Sequence, residues 1–332
     1  MRAWIVASFG TPSLVEMPDP VAGPGEVLLE VRSVALNFRD HLMMRGTYDP
    51  RQKLPLVLGS DAVGVVRELG PGVVDLSIGD RVCPAFHSAW LRGALEESAR
   101  RGTLGGPRPG VFATRVAVRA EACVPAPAHL SDDEAATLPC AGVTAWRALD
   151  EGNVRAGSTV LALGTGGVSV FALQLARLRG ARAFVTSSDD ERIARAIALG
   201  AEAGINYRGD PQWGKTIAER TGGVDLVVEV GGAGTLGESL RAVKTGGTIA
   251  LVGNLAGLDA HVPLARIFMR GIRIQGLLVG SVEDQRSLFR ALEKHPDVRP
   301  VIAEVHPFEK LGDVLQRFPE GGHFGKVVVR VG

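Results

Sequence analysis

From residue 159 to residue 280 the chain repeats one pattern, a short run of branched and small apolar residues followed by a stretch at helical spacing. The runs are TVLALG, ARAFVTS, AGINY, VDLVVEVG, GTIALVG and IRIQGLLVG, and the intervals between them predict helices over 167–180, 190–199, 213–221 and 235–243. Strands apolar on both faces and separated by helices belong to a parallel sheet, because each crossover helix covers one face of it. This part of the chain is expected to be α/β, a doubly wound parallel sheet.

The residues before it have no such alternation. AWIVA, EVLLEVRSVA and AVGVVREL are short branched runs bounded by glycine and proline, as in a β-rich lobe. One helical stretch, NFRDHLMMRG, interrupts them, and residues 87–110 form a polar, glycine-rich excursion that reads as loop with a helical turn. With 332 residues the chain exceeds the ~250–300 at which single cores stop growing, so two domains are expected. The Ser131-x-x-Glu134 capping pattern marks where the second begins. The division is 1–126 for the first lobe, 127–280 for the α/β domain and 281–332 for a C-terminal segment.

Charge narrows the partners. Lysine and arginine total 37 against 36 acids, so no global field would hold nucleic acid or an anionic membrane, and a small molecule is the expected partner. Three widely spaced cysteines, Cys83, Cys123 and Cys140, argue against a disulfide framework and for a reducing, cytoplasmic setting. The first twenty residues lack a signal peptide's apolar region, and no run reaches the ~18 apolar residues of a membrane span.

The chemistry concentrates at LGTGGVS. Gly164-x-Gly166-x-x-Ser169 follows an apolar strand and opens an amphipathic helix. Gly164 permits the tight turn, Gly166 lets a diphosphate approach the backbone, and Ser169 is small enough for close helix–strand packing. With Thr165, Gly167 and Val168 these residues form the expected dinucleotide cradle of a Rossmann domain, the phosphates facing the helix N-terminus. At the tip of the next strand Ser187 and Ser188 are neutral and Arg192 follows one turn later, a set that would take the 2′-phosphate of NADPH. Asp189 and Asp190 keep NADH open, since either would hold a free 2′-hydroxyl if the strand ran two residues longer.

A rival motif is Gly209-Asp-Pro-Gln-Trp-Gly214-Lys215-Thr216, which fits the spacing of a nucleoside-triphosphate loop. Pro211 has no N–H to donate and Trp213 is bulky where backbone should wrap phosphate, so the match is read as accidental.

PDPVAGPGEVLLEV, ALNFRDHLMMRGTY, LPLVLGSDAVGVV, SIGDRV, LPCAGVTAWRAL, LGTGGVS, ALGAEAGINY and FGKVVV together resemble the medium-chain dehydrogenase/reductase superfamily, in its zinc-free quinone oxidoreductase-like branch. The resemblance spans nearly the whole chain. It implies a GroES-like β-barrel catalytic domain completed by the C-terminal segment, and a homodimer joined through the last Rossmann strand, near IRIQGLLVG. The positions that carry Cys, His and Glu in the family's zinc alcohol dehydrogenases hold Asn37, Ser60 and Asp61 here, and only Cys140 keeps a ligand type. A catalytic zinc takes about three protein ligands, so no metal site is expected.

By the same resemblance Tyr48 is the candidate proton or hydrogen-bond donor, with packing at a loop as its alternative. Asn37 and Thr144 match positions that bond cofactor or substrate, and otherwise serve as helix-end ligands. Asp40 and Asp61 either orient the site or are buried acids paired with basic residues such as Arg39 or Arg45. Gly253, Asn254 and Leu255 would line the nicotinamide, and Lys326 would reach the adenine-side phosphate or stay solvated. His41 and Asp40 are adjacent on a helix and do not face each other, so they form no dyad. The expected activity is NADPH-dependent reduction of quinones or α,β-unsaturated carbonyls. NAD(P)-dependent alcohol oxidation or ketone reduction, and a non-catalytic NADPH sensor, are its alternatives.

Overall fold

The computed structural model describes residues 1–332, the side chain of Ser98 excepted. The chain divides into two compact units, Met1–Val143 with Gly280–Gly332, and Thr144–Val279.

The first unit opens with strands β1 (Arg2–Val6), β2 (Ser13–Glu16), β3 (Glu26–Ala35), β4 (Leu56–Val57), β5 (Asp61–Leu69), β6 (Arg81–Pro84), β7 (Arg115–Arg119) and β8 (Cys123–Pro125). Helices α1 (Phe38–Arg45), α2 (Glu97–Arg100) and α3 (Asp132–Ala135) punctuate them, and α4 (Val143–Glu151) leads into the second unit. That unit alternates β9 (Thr159–Leu163), α5 (Gly167–Leu178), β10 (Arg182–Ser187), α6 (Asp190–Ala198), β11 (Ala203–Asn206), α7 (Trp213–Thr221), β12 (Val224–Glu229), α8 (Leu236–Ala242), β13 (Val243–Leu251), α9 (Leu264–Phe268) and β14 (Arg273–Gly276). The chain ends with α10 (Val282–Lys294), β15 (Ile302–Pro307), α11 (Leu311–Arg317) and β16 (Lys326–Arg330).

The second unit's sheet has the order β11-β10-β9-β12-β13-β14 with every pair parallel. Strand order reverses between β9 and β12, where a doubly wound sheet opens a crevice at its carboxyl edge. Central β9 is buried at every residue, as its unbroken apolar run requires, while outermost β14 is exposed at both ends. Leu161, Phe184, Trp213 and Ile249 are among the core residues. No helix among the described residues is long and apolar enough to cross a membrane.

The first unit joins a three-stranded sheet, β2-β1-β4, to a seven-stranded one in which β15-β16-β3-β5-β6-β8 run in order and β7 pairs with β3. Its core gathers Leu29, Val34, Met43, Phe112 and Val329. Strand β16 pairs antiparallel with β3, Val328 opposite Ala35, so the C-terminus completes a sheet begun near the N-terminus. Residues 87–110 are loop around the single turn α2.

The division at 126/127 needs correction, because residues 127–143 fold with the first unit. Three charged pairs account for it. Arg81 Nε meets Asp132 at 2.6 Å, Arg330 Nη2 meets Asp133 at 2.6 Å, and Arg299 Nε donates to Glu134 at 2.7 Å. The capping pattern itself forms, Ser131 N donating to Glu134 Oε2 at 2.8 Å and Glu134 N to Ser131 Oγ at 3.3 Å, but it opens a helix of one turn.

Candidate active site

In the second unit, β9 delivers the chain to Gly164, whose φ of 73° is left-handed and favours glycine. Gly164 N donates to Thr186 Oγ1 at 3.3 Å, and buried Ser169 donates to Leu163 O at 2.6 Å, which ties the first turn of α5 to the strand. A Cβ built on Gly164 or Gly166 meets nothing within 4 Å, so the space over the turn is open. The first N–H groups of α5 have no acceptor inside the helix and stand at its positive end, as an anion requires. Thr165 is buried, and Gly167 and Val168 lie in the first turn. The residues fit a dinucleotide diphosphate.

At the adenosine end β10 stops at Ser187 and does not run on to the acids. Asp189 is the N-cap of α6, its Oδ1 accepting from Arg192 N at 3.0 Å, and Asp190 Oδ1 accepts from Asn206 Nδ2 at 2.9 Å. Arg192 Nη2 donates to Ser188 Oγ at 3.0 Å. Both acids are thus engaged locally, and the guanidinium already sits beside the serine hydroxyl.

The loop holding Gly253, Asn254 and Leu255 hangs from β12. Val252 N and Gly253 N donate to Glu229 O at 2.8 and 3.2 Å, and Leu255 N to Val230 O at 3.1 Å. A Cβ on Gly253 would lie 2.7 Å from Val230 O, so the close approach needs glycine. The fully buried Glu229 carboxylate takes Gly231 N, Gly232 N and the hydroxyls of Thr235 and Ser239, and so fixes the neighbouring turn. Thr144, in the first turn of α4, is buried.

The first unit contributes a charged cluster. Strand β16 pairs with β3 and β3 with β5, with Ala35 opposite Asp61, so Lys326 and Asp61 converge at one edge of the sheet. Lys326 Nζ donates to Leu36 O at 2.8 Å, Asn37 Oδ1 at 2.7 Å and Asp61 Oδ2 at 3.3 Å. Asn37 Nδ2 donates to Ser60 Oγ at 3.3 Å, and Ser60 Oγ to Asp61 Oδ1 at 3.2 Å. Asp40 caps the arrangement by accepting from Asn37 N at 2.8 Å. Its other oxygen, Oδ1, has no hydrogen-bond partner, Arg39 Nη1 lying 3.7 Å away. Burial pushes the Asp40 carboxyl up to about 6, against the pull of Arg39, and also raises Asp61 and the Cys140 thiol. Arg39 itself donates to Leu104 O and Gly106 O at 2.9 and 3.1 Å and lies under the rings of Phe86 and Tyr48, at 4.9 and 5.2 Å.

Two nominated residues move. Lys326 is not solvated: it is 4% exposed, because GKVVV is an interior strand whose first side chain meets Asp61, and its ammonium is spent on Leu36, Asn37 and Asp61. Asp40 is sealed at 0% exposure, so it acts on Asn37 and does not touch a substrate. Asn37, at 9%, is the least enclosed of the Asn37, Ser60, Asp61 and Lys326 set, and Tyr48 is 43% exposed. The triphosphate-loop match dissolves, as expected. Gly214 N donates to Glu238 Oε2, Thr216 Oγ1 to Asp210 Oδ2, and Trp213 is buried.

Sequence reasoning missed the Lys326–Asp61 pair. Its signal was present, since each charge stands in an otherwise apolar run, and a charge there must find an opposite one.

The amino half matches the alcohol dehydrogenase GroES-like domain over residues 23–128, and the zinc-binding dehydrogenase domain matches over 167–294. A zinc-type alcohol dehydrogenase-like protein of Schizosaccharomyces pombe is 39% identical, the alignment covering 96% of this chain and 94% of that one. An acryloyl-coenzyme A reductase of Metallosphaera sedula is 30% identical over 95% of each. The crystal structure of a putative alcohol dehydrogenase from Sinorhizobium meliloti 1021 superposes with a TM-score of 0.93 at 36% identity, covering 99% of this chain and 98% of that one.

Proposed function

Since the chain belongs to the medium-chain dehydrogenase/reductase superfamily, in its alcohol dehydrogenase-like part, and is an NAD(P)H-dependent oxidoreductase, we propose that it reduces quinones or α,β-unsaturated carbonyls with NADPH and without zinc. The observation that carries this reading is the Lys326 ammonium bonded to both Asn37 and Asp61. A zinc ion takes about three deprotonated or neutral ligands. Asn37, Ser60 and Cys140 offer a carboxamide, a hydroxyl and a thiol whose ionisation burial disfavours, and a fixed cation already sits against Asn37 and Asp61. The donor set does not fit the metal.

A conjugated acceptor suits such a site. Its carbonyl is already polarised, and on reduction negative charge gathers on oxygen, where a hydrogen-bond donor lowers the barrier. Bound NADPH supplies the hydride. Gly164, Gly166 and the start of α5 would hold its diphosphate, Ser187, Ser188 and Arg192 its 2′-phosphate, and Gly253 to Leu255 would line its nicotinamide. Asn37 donates to the acceptor's oxygen, and Tyr48 or water returns the proton. Arg39 beneath the Tyr48 ring holds that side chain in place. The neighbouring acryloyl-coenzyme A reductase, named for a conjugated acyl group, supports the substrate class. Edge strand β14, with exposed Leu264, Phe268 and Met269 close to it in sequence, suits pairing with a second copy in a homodimer. Three free cysteines suit a cytoplasmic setting.

The test follows NADPH absorbance against a panel of quinones, enones, aldehydes and ketones, with metal analysis of the same preparation. Turnover of quinones or enones without zinc is expected. Turnover of simple ketones or alcohols that depends on stoichiometric zinc would reverse the reading. Tight NADPH binding with no turnover anywhere would leave a sensor.

A further inference from the structure

We propose that Lys326 is a positioning residue that turns the Asn37 carboxamide into a polarised donor for the acceptor's oxygen, its charge standing in for a Lewis acid. The inference rests on the conjugated-carbonyl reading above. An ammonium has three hydrogens and no lone pair, and those of Lys326 go to Leu36 O, Asn37 Oδ1 and Asp61 Oδ2. With all three engaged and the side chain 4% exposed, Lys326 does not itself reach a substrate.

What it controls is the amide. Because the ammonium only donates, the atom facing it must be the carbonyl oxygen, and that choice fixes which way the carboxamide points. Nδ2 then carries two N–H groups. One goes to Ser60 Oγ, whose hydroxyl is in turn held by Asp61, and the Asp61 carboxylate also draws on this amide, so an acceptor's oxygen would compete with Asp61 for the N–H. Asn37 is also the most exposed member of this set, at 9% against 0% for Ser60 and Asp61. A cation on Oδ1 draws electron density across the amide and strengthens the remaining N–H, as in any polarised hydrogen-bond chain. Asp61 holds the ammonium from one side, and the Asp40 carboxylate holds the Asn37 backbone from another.

The experiment compares the wild type with Lys326→Met, Lys326→Arg and Asn37→Ala, each saturated with NADPH, across acceptors graded from a simple enone to an electron-poor quinone. Losing one such donor costs about 10²–10³ in kcat. Lys326→Met should lose that much on the enone and less than about tenfold on the quinone, whose oxygen needs little help. Lys326→Arg should recover part of the loss, while NADPH affinity, measured by fluorescence titration, stays near wild type in all three. In the wild type, NMR of the lysine Nζ groups should reveal one exchange-protected ammonium, and Asn37→Ala should shift it.

A loss equal on every acceptor would mean that Lys326 only supports the fold, and an unchanged rate would mean that it has no part. Either sinks this proposal while leaving the substrate class standing. No protected ammonium would remove its geometric basis. A wild type that turns over nothing on the panel overturns both readings together.

Discussion

The dinucleotide turn and the charged cluster are built on opposite principles. The turn is backbone: one continuous segment from Gly164 to Ser169, with open space over two glycines and a helix end beneath. The cluster is side chains, and Lys326 and Asn37 meet across 289 residues of sequence. Backbone sites are protected by what is absent, a Cβ, whereas clusters are protected by balance, so that removing one member strands the others. The two should therefore fail differently, one in binding at unchanged stability and the other with a loss of stability.

The largest effect belongs to the cluster. Asp61→Asn leaves the Lys326 ammonium buried without its counter-charge, which should cost about 3–5 kcal/mol and show as a lowered urea midpoint. Replacing both partners, Asp61→Asn with Lys326→Met, should recover much of that, because no charge is then stranded. If the double variant is as unstable as the single one, the balance argument fails.

The turn should break in the opposite manner. Gly166 has extended geometry, φ −74° and ψ −179°, and its Cβ would meet nothing, so Gly166→Val should keep the wild-type melting temperature. Its side chain would fill the space meant for the diphosphate. NADPH affinity should fall about 100-fold, or about 2.7 kcal/mol, by fluorescence titration.

Acidity sharpens the contrast within the first unit. Burial lifts Asp40 from 3.8 to about 6, while the hydrogen bonds from Arg299 hold Glu134 down from 4.5 to about 2. Between 3.8 and 6 the folded state keeps a proton on Asp40 that the unfolded chain has lost, so stability falls as pH rises and levels off above 6. Glu134 has the other sign, its contribution present above 4.5 and lost as pH falls toward 2. In the window from 4.5 to 6 Asp40 acts without Glu134, lowering stability by about 2 kcal/mol at about 1.4 kcal/mol per pH unit. Melting temperature should drop across that window in the wild type and drop less in Asp40→Asn, where the raised carboxyl of Asp61 still acts with the same sign.

A smaller effect is expected at Arg192. Replacing it with alanine removes one charge-assisted contact, so NADPH should weaken about tenfold while NADH holds steady. Equal weakening of both nucleotides would argue for a merely structural Arg192.

The same division decides what could be read in advance. The parallel sheet, its helices and the LGTGGVS turn are legible because period and glycine placement are local, and β10 ends at the serines where neutral residues give way to a helix cap. The resemblance placed Asn37 and Asp61 together but sent Lys326 elsewhere, since nothing in FGKVVV says which strand it will join. Only the antiparallel register of β16 on β3 and of β3 on β5 brings that lysine to that acid. The boundary was misplaced for a similar reason. Ser131-x-x-Glu134 announces a helix, but the arginines that claim its acids, Arg81, Arg299 and Arg330, are spread along the chain and leave no local signature.

The smallest effect should come from metal. If Lys326 already supplies the cation, prolonged chelation should leave kcat unchanged, and added zinc should not raise it, in an assay with a quinone or enone. The sharper version builds the site that the chain lacks. Asn37→Cys with Ser60→His, beside Cys140, gives the roughly three ligands that a catalytic zinc takes. On the present geometry that double variant should still bind zinc poorly, because the ammonium stays within reach of Asp61 and repels a divalent ion. Adding Lys326→Ala should create the affinity that the two ligands alone did not. Tight stoichiometric zinc in the double variant, with Lys326 still present, would show that the lysine is a bystander.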